Sequence, residues 1–330
     1  METVHVLVTS NIGDDYLRQL AAVSPRVKVT NINPLLRAEH SGDKNAENRV
    51  NALLSEAEIL FGLRLPRDIV SRAPKLKWIQ AMSAGVEGYL GTELIASPIV
   101  ITSVSGAAAA PIAEFVIGLM LMFVKQSVLC FHLKQEKKWL RFAPAVLGSK
   151  TVGIVGLGSI GREVARLAKA FGMRVLATRR SAKREGRARY VDVVFPPVQL
   201  PELLAESDFV VLALPLTPET SKIFGEAKLR AMKSTACLIN IGRGEIVDEE
   251  VLIRALEEQW IAGAGLDVFA TEPLPADSRL WELPNVIFSP HVAGGVDDYA
   301  RRATELFTEN LRRYLSGRRL LNIINKKRGY

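Results

Sequence analysis

The sequence predicts an α/β protein with two parallel-sheet domains, and three observations support this prediction. Short apolar strand patterns alternate with amphipathic helix patterns along most of the chain. A length of 330 residues is enough for two domains of ordinary size. The composition, with 48% hydrophobic and 24% charged residues, is typical of a globular protein with a large core.

The N-terminal third contains the first series of these elements. Strands are predicted over residues 4–9, 27–30, 58–61, 76–81 and 99–104, with helices near 14–22, 46–56 and 67–73. Strands that alternate with helices in this way form parallel sheets, so we expect a small flavodoxin-like domain here.

A second series of strands begins at Thr151, after a long helix predicted over 111–135. Its strands are predicted over 151–155, 174–177, 191–194, 209–212, 236–240, 263–266 and 286–288. The C-terminal helix, over 297–315, has no later strand to follow it, so we expect it to pack on the first domain. The predicted domains are therefore 1–104 with 296–330, and 105–295, with the active site in the cleft between them.

The strongest local motif is Gly156-Leu157-Gly158-Ser159-Ile160-Gly161, which follows an apolar strand and leads into an amphipathic helix. In this setting the first glycine makes a tight turn, the second lets the backbone approach a pyrophosphate, and the third lets helix pack on strand. The helix N-terminus also offers N–H groups to phosphates, so Ser159 and Ile160 are expected to contact the cofactor. A tight turn without a nucleotide is the alternative, but the context favours a dinucleotide-binding Rossmann domain.

The end of the next strand predicts which dinucleotide is bound. Arg179 stands eighteen residues after Gly161, where NAD-binding proteins place a carboxylate that bonds the ribose 2′-hydroxyl. The guanidinium groups of Arg179 and Arg180, with the hydroxyl of Ser181, would instead attract a 2′-phosphate. NADP(H) is therefore the expected cofactor, with NAD(H) also possible, and a solvated basic loop is the alternative.

Charge and cysteine content bear on partners and compartment. The net charge is +8, but neither the basic run 179–189 nor the C-terminal tail has the interleaved aromatic residues that stack on bases. The longest apolar run, 115–124, is too short to span a bilayer. Cys130 and Cys237 lie in apolar stretches and are expected to be reduced core residues. We expect a cytoplasmic protein without nucleic-acid, membrane or metal binding.

The four histidines differ in where the pattern places them. His5 lies in the first strand, His40 in a polar segment and His132 in a long helix. His291 comes directly after strand 286–288, and ligands of open α/β sheets bind beyond the carboxyl ends of strands. Placement therefore favours His291 as the acid–base residue, with a purely structural histidine as the alternative.

Two other strand ends carry residues that complement His291. Arg243 lies in a glycine-flanked turn, and Glu272 follows strand 263–266. A guanidinium can clamp a carboxylate with two hydrogen bonds, and a carboxylate can orient an imidazole and stabilise its protonated form. The imidazolium can then give a proton to a carbonyl oxygen. With a nicotinamide hydride, this set predicts reduction of a 2-oxo acid, although each residue taken singly is better explained as a surface turn residue.

At these residues the chain resembles the D-isomer-specific 2-hydroxyacid dehydrogenases, the family that includes glyoxylate and hydroxypyruvate reductases. The resemblance runs over nearly the whole chain, with the motifs at the family's spacing. It rests on the segments SAGVE at 83–87, IAE at 112–114, GIVGLGSIG at 153–161, LPLTPET at 214–220, INIGRG at 239–244, LDVFATEPLP at 266–275 and SPH at 289–291.

The resemblance assigns roles to the residues that match these motifs. It implies that Arg243 binds the substrate carboxylate and polarises the carbonyl, that Glu272 is the partner of the histidine, and that His291 donates the proton. It also implies that backbone amides of the first domain hold the substrate carboxylate in an anion nest, at Ala84, Gly85 and Val86.

For the cofactor, the resemblance implies that Asp267 bonds the nicotinamide carboxamide. It further implies that the segment after Leu214, with Pro215 and Thr220, forms the wall on the adenosine side. Because the family resemblance also implies a two-fold dimer, we expect a homodimer that uses the apolar helix after residue 111.

A second class of function remains open. Dinucleotide-sensing scaffolds of the transcriptional corepressor type resemble this fold and can keep the catalytic residues with little turnover. Arg179 favours the enzyme, since those sensors resemble the NAD-type strand end. Two departures from the family are smaller residues: Gly242 is expected to loosen the turn before Arg243, and Gly294-Gly295 removes bulk near the substrate and leaves the 2-oxo acid itself unspecified.

Overall fold

The computed structural model describes residues 3–86 and 91–328. Their elements form two compact units, Met1–Ala107 with Val296–Tyr330, and Ala108–Gly295. Each unit is built on a mainly parallel sheet, so the predicted α/β class with two parallel sheets is confirmed. The boundaries predicted from the sequence, after residues 104 and 295, compare with unit boundaries after residues 107 and 295.

The first unit has five parallel strands in the order β2-β1-β3-β4-β5 among the described residues. They are β1 (Val4–Val8), β2 (Val27–Asn31), β3 (Ile59–Gly62), β4 (Trp78–Ala81) and β5 (Val100–Thr102). Its N-terminal part also contains the helices α1 (Asp14–Ala21), α2 (Asn33–His40), α3 (Lys44–Glu56), α4 (Ile69–Arg72) and α5 (Thr92–Ala96).

The second unit has eight strands in the order β13-β12-β11-β10-β6-β7-β9-β8, and only β8 runs antiparallel to its neighbour among the described pairs. The strands are β6 (Thr151–Val155), β7 (Arg174–Thr178), β8 (Gly186–Ala188), β9 (Val191–Phe195), β10 (Phe209–Leu212), β11 (Cys237–Asn240), β12 (Gly263–Leu266) and β13 (Val286–Phe288). The helices are α6 (Ala109–Val124), α7 (Ser127–Gln135), α8 (Ser159–Ala170), α9 (Leu200–Glu206), α10 (Glu226–Arg230) and α11 (Glu249–Glu257). The central strands are buried apolar runs because helices cover both faces of a parallel sheet.

The last helix, α12 (Tyr299–Leu315), belongs to the first unit. Its Phe307 ring stacks on Phe61 of β3, with 4.2 Å between centroids, and also contacts Trp78 of β4. The chain then pairs with β5, where the Ile324 amide donates to the Ile101 carbonyl at 2.8 Å. The C-terminal part of the chain therefore covers this sheet with α12 and forms an isolated bridge to β5.

Two sequence predictions in the second unit are wrong. The single helix predicted over 111–135 is two helices, α6 and α7, with a 60° bend between them. The break occurs at Gln126, which has a left-handed φ of 53° and so cannot continue a right-handed helix. Cys130, expected in the core, is exposed, because no residue of α7 is buried.

In the described residues, no single helix is long and apolar enough to cross a bilayer. The bent pair of α6 and α7 meets the criterion by length and composition only when the two are taken together.

Candidate active site

The glycine turn between β6 and α8 has the geometry that a nucleotide loop requires. Gly156 has a φ of 107°, and a Cβ there would lie 2.5 Å from the Ala213 carbonyl oxygen. A Cβ on Gly161 would lie 2.1 Å from the Gly156 carbonyl oxygen, so this glycine lets α8 approach the turn. A Cβ on Gly158 would meet nothing within 4 Å. Gly156 and Gly161 are thus required for packing, and Gly158 leaves space open at the helix end.

The N-terminus of α8 fits a phosphate. Gly158 is the N-cap and no side chain accepts from the first amides of the helix, which begins with Ser159 and Ile160. The open space beside Gly158 therefore lies where free N–H groups and the positive end of the helix dipole meet. These features match what the pyrophosphate of a dinucleotide needs.

The basic residues after β7 lie next to this turn. The Leu157 amide donates to the Thr178 carbonyl at 3.1 Å, and Thr178 is the last residue of β7. Arg179, Arg180 and Ser181 follow at once, all exposed. In a Rossmann fold, the ribose 2′-substituent is recognised by residues that follow the second strand, which is β7 here.

The segment after β10 forms the other side of the glycine turn. Leu214 approaches it closely, since its Cδ2 atom would lie 3.0 Å from a Cβ on Gly156. The Thr220 hydroxyl donates to the Pro215 carbonyl at 2.7 Å and accepts from the Thr217 amide at 2.7 Å. Thr220 therefore fixes the backbone conformation of the segment 215–220. The pKa of Glu219 is lowered, mainly by a hydrogen bond with Thr217 and further by the charge of Arg180.

Arg243 lies in a turn that a buried asparagine organises. Asn240, the last residue of β11, accepts from the Gly242 amide at 3.1 Å and donates to the Arg243 carbonyl at 2.9 Å. A Cβ on Gly242 would lie 2.8 Å from the Leu214 carbonyl oxygen, so this glycine is required for the close approach of the wall. The Arg243 side chain is half-buried, and its Nη1 atom donates to the Gly242 carbonyl.

Glu272 and His291 form a direct pair. The Glu272 Oε2 atom lies 2.8 Å from His291 Nδ1, and its Oε1 atom accepts from the Phe269 amide at 3.1 Å. A Cβ on Gly244 would lie 1.9 Å from the Phe269 carbonyl carbon, so the Arg243 turn packs against the loop that carries Glu272. Because Nδ1 faces the carboxylate, the other ring nitrogen, Nε2, is left for a substrate.

Asp267 holds the loop that carries His291. The Asp267 carboxylate is buried and accepts from the Ser289 hydroxyl at 2.6 Å and from the Val292 amide at 2.8 Å. The Ala293 amide also donates to it, and the Asp267 carbonyl accepts from the His291 amide at 2.9 Å. This positioning role was not anticipated, and the expected bond from Asp267 to a nicotinamide stays a prediction.

The predicted anion nest lies in the first unit, directly after β4. Ala84 is exposed, Gly85 is half-buried and Val86 is buried. The Ser83 hydroxyl donates to the Gly85 carbonyl at 2.6 Å, and the Val104 amide donates to the Ser83 carbonyl at 3.2 Å. Glu87, the last residue of the predicted motif, lies outside the described residues.

The second unit thus brings most of the predicted residues to one edge of its sheet. Arg243, Glu272 and His291 follow β11, β12 and β13, which are neighbours and parallel. The glycine turn, the basic residues and the Leu214 wall follow β6, β7 and β10, and parallel strands present their carboxyl ends at the same edge. Sequence reasoning missed Asn240, although a polar residue that ends an apolar strand was a usable signal. Within 3–86 and 91–328, no group of three or more His, Cys, Asp or Glu residues could hold a metal ion.

Comparison with known proteins agrees with this arrangement. Residues 117–293 match the family model described as D-isomer specific 2-hydroxyacid dehydrogenase, NAD binding domain. The chain is 38% identical over 266 residues to a glyoxylate reductase from Korarchaeum cryptofilum, covering 79% of each protein.

Two solved structures are similar over almost their full length. A D-isomer specific 2-hydroxyacid dehydrogenase from Xanthobacter autotrophicus, in complex with NADPH and MES, superposes with a TM-score of 0.85 at 30% identity, covering 99% of this chain and 100% of that one. An NADPH-dependent glyoxylate/hydroxypyruvate reductase from Sinorhizobium meliloti, in complex with NADP and sulfate, gives a TM-score of 0.83 at 27% identity, with 99% and 100% covered. The matching nucleotide-binding model and these relatives establish that the chain belongs to the D-isomer specific 2-hydroxyacid dehydrogenase family, oxidoreductases that use a nicotinamide dinucleotide.

Proposed function

We propose that this protein reduces a small 2-oxo acid, such as glyoxylate or hydroxypyruvate, to the D-2-hydroxy acid with NADPH. The observation that carries the proposal is the 2.8 Å contact between Glu272 and His291, next to the packed turn that carries Arg243. Relatives that bear the names glyoxylate reductase and glyoxylate/hydroxypyruvate reductase support this substrate class.

Each residue of this set has one task in the reaction. Arg243 binds the substrate carboxylate and polarises the carbonyl oxygen through charge-assisted hydrogen bonds. A bound reduced nicotinamide supplies a hydride for the carbonyl carbon. His291 gives the proton on Nε2 to the carbonyl oxygen, which becomes the hydroxyl of the product. Glu272 holds the ring through Nδ1 and stabilises the imidazolium before the proton leaves.

Preference for NADP(H) over NAD(H) is a separate part of the proposal. Its support is the position of Arg179, Arg180 and Ser181 directly after β7, beside the glycine turn. Two similar structures are complexes with NADPH or NADP. In this arrangement Gly158, Ser159 and Ile160 hold the pyrophosphate, and Leu214 with Pro215 contacts the adenosine.

The anion nest of the first unit also belongs to this proposal. The amides of Ala84, Gly85 and Val86 hold the substrate carboxylate, and residues 1–104 with 296–330 act as the substrate domain. We also propose that the chain forms a homodimer and works in the cytoplasm.

The proposed function is tested by steady-state turnover of the purified chain. We expect reduction of glyoxylate or hydroxypyruvate in the presence of NADPH, and a loss of roughly 10²–10⁴-fold in kcat for His291→Ala, because a positioned general acid contributes that much. His132→Ala is the matched control, since His132 is exposed on α7, and should keep full activity.

Binding of NADPH, measured by fluorescence in the same preparations, separates the two classes of function. If the wild-type chain binds NADPH but turns over no 2-oxo acid of a broad panel, the proposal is wrong and a dinucleotide-sensing scaffold is favoured. Near-normal kcat in His291→Ala would show that another group supplies the proton.

A further inference from the structure

The backbone that follows β4 is held by four contacts within the first unit. The Met82 amide donates to the Gly62 carbonyl at 2.9 Å, which extends the pairing of β3 and β4. The Tyr299 hydroxyl donates to the Met82 carbonyl at 2.7 Å. Next along the chain, the Val104 amide donates to the Ser83 carbonyl, and the Ser83 hydroxyl donates to the Gly85 carbonyl. Three carbonyl groups in this short segment therefore have fixed donors.

Holding these carbonyls also sets the directions of the amides. In a trans peptide the carbonyl and the following N–H point in opposite directions. The amides of Ser83, Ala84 and Val86 therefore point away from Tyr299, from Val104 and from the Ser83 hydroxyl respectively. The Ser83 amide is thus directed away from the Tyr299 hydroxyl, where an anion can accept from it.

Tyr299 is suited to hold the first of these carbonyls. It is the first residue of α12, and its ring packs on the buried cluster that contains Val104 and Phe307. Burial raises the pKa of its hydroxyl, which therefore stays protonated and remains a donor near neutral pH. This contact joins residues 217 positions apart. It involves neither the glycine motif nor the residues that follow the strands of the second unit.

We propose that Tyr299 is a positioning residue for the substrate carboxylate: its hydroxyl fixes the Met82 carbonyl and thereby orients the Ser83 amide, the first amide of the nest at Ser83–Val86. This inference rests on the proposed function, because it assumes that the nest binds the carboxylate of a 2-oxo acid. It adds the Ser83 amide to the nest and makes α12 part of the substrate site.

The test compares two tyrosines of the same helix. Tyr299→Phe removes one hydrogen bond, so KM for glyoxylate should rise about three- to tenfold, with kcat and the KM for NADPH changed less than about twofold. Tyr314→Phe is the matched control: its hydroxyl donates to Glu58 Oε1 at 2.6 Å, just before β3 and at the opposite edge of the sheet from the nest. That variant should lose stability without a change in the KM for glyoxylate.

A second variant and a binding measurement keep the test independent of folding and turnover. Ser83→Ala, which removes the bond to the Gly85 carbonyl, should raise the KM for glyoxylate in the same way. Calorimetric titration of the NADPH-saturated protein with oxalate, a dicarboxylate that is not reduced, should show the same weakening in Tyr299→Phe.

The outcomes separate this inference from the proposed function. If the wild-type chain binds oxalate but reduces no 2-oxo acid, the proposed function fails, and the oxalate affinity of Tyr299→Phe still decides the role of Tyr299. If KM and oxalate affinity are unchanged in a folded Tyr299→Phe variant, or change equally in Tyr314→Phe, the positioning role is wrong. If Tyr299→Phe does not fold, an unchanged KM in Ser83→Ala overturns it.

Discussion

The two oxygens of the Glu272 carboxylate serve different partners. One accepts from the Phe269 amide and the other contacts His291 Nδ1, so the carboxylate is fixed to its own loop while it orients the imidazole. The residue keeps part of its surface in contact with solvent, as 37% of the Glu272 side chain is exposed. Its effect on His291 should therefore be a moderate one that depends on charge.

Glu272→Gln tests this charge. The amide can still bond Nδ1, but it carries no negative charge, so it no longer stabilises the imidazolium that gives up the proton. The kcat for reduction of glyoxylate should therefore fall about tenfold, the effect of losing one charge-assisted hydrogen bond, with NADPH affinity unchanged. The measurement is steady-state kcat for glyoxylate together with a fluorescence titration with NADPH. An unchanged kcat in Glu272→Gln would contradict the role of Glu272.

Arg179 tests the choice of dinucleotide. Each charge-assisted hydrogen bond to a phosphate contributes roughly 1.5–3 kcal/mol, so Arg179→Asp should lower kcat/KM for NADPH about tenfold or more and favour NADH. Arg187→Asp, in β8 of the same basic run, is the control for a general loss of positive charge. Equal kcat/KM for the two cofactors in the wild type, or no change in Arg179→Asp, would defeat the proposed preference.

At the scale of elements, two glycines at the junction of β6 and α8 have different roles: Gly158 leaves space at the helix end, and Gly161 lets the helix pack against the turn. Gly158→Ala should weaken NADPH binding by roughly tenfold without lowering Tm, because its Cβ meets no protein atom within 4 Å yet fills the space at the helix end. Gly161→Ala should lower Tm, since its Cβ would lie 2.1 Å from the Gly156 carbonyl oxygen.

Fluorescence titration with NADPH and thermal unfolding of both variants check this pair. Gly91→Ala is a control for the substitution itself, because its Cβ also meets nothing within 4 Å. Normal NADPH affinity in Gly158→Ala would mean that the pyrophosphate does not lie at this helix end.

The elements also show what a single sequence can predict. The strands were predictable because buried parallel strands are short apolar runs between turn residues, and β10, β12 and β13 begin and end where the pattern predicts. The break at Gln126 was not, because no glycine or proline marks it. The helix α2 was missed, since it follows β2 without an intervening loop pattern.

The same contrast holds for the candidate site. The sequence could place Arg243, Glu272 and His291 at strand ends, because the apolar strand patterns indicate where each strand stops. The contact of Tyr299 with Met82 could not be predicted, because it joins segments far apart in the chain.

At the scale of the whole molecule, α7 and the segment after it expose several large hydrophobic side chains. Among the large hydrophobic residues that are exposed, Phe131, Trp139 and Leu140 cluster here, and Trp139 is 91% exposed. The neighbouring α6 is apolar on nearly every face, but all of its residues except Glu114 are already buried or half-buried, so the surface left without a cover is that of α7 and the segment after it. A second copy of this chain, related by two-fold symmetry, is the cover that we propose.

Sedimentation equilibrium at micromolar concentration tests the dimer. We expect a species of about twice the chain mass of 36.2 kDa, and Leu140→Glu should shift it toward the monomer, because a charge would be buried in the interface. Val198→Glu is the matched control, since Val198 is also highly exposed but lies near α9. A single species near 36.2 kDa for the wild-type chain would rule the dimer out.

The division of the first unit between the two ends of the chain has a consequence for synthesis. The ribosome completes β1 to β5 long before Phe307 and the segment that bonds β5 at residue 324 are made, and Phe61 and Trp78 lack their aromatic partner from α12 until then. The second unit, by contrast, is continuous in sequence and can fold as soon as residue 295 has emerged. Until α12 is made, a growing chain would thus carry a folded nucleotide-binding unit and a five-stranded sheet whose Phe61 and Trp78 are uncovered, and such transiently exposed apolar surface is what makes a folding intermediate prone to aggregation.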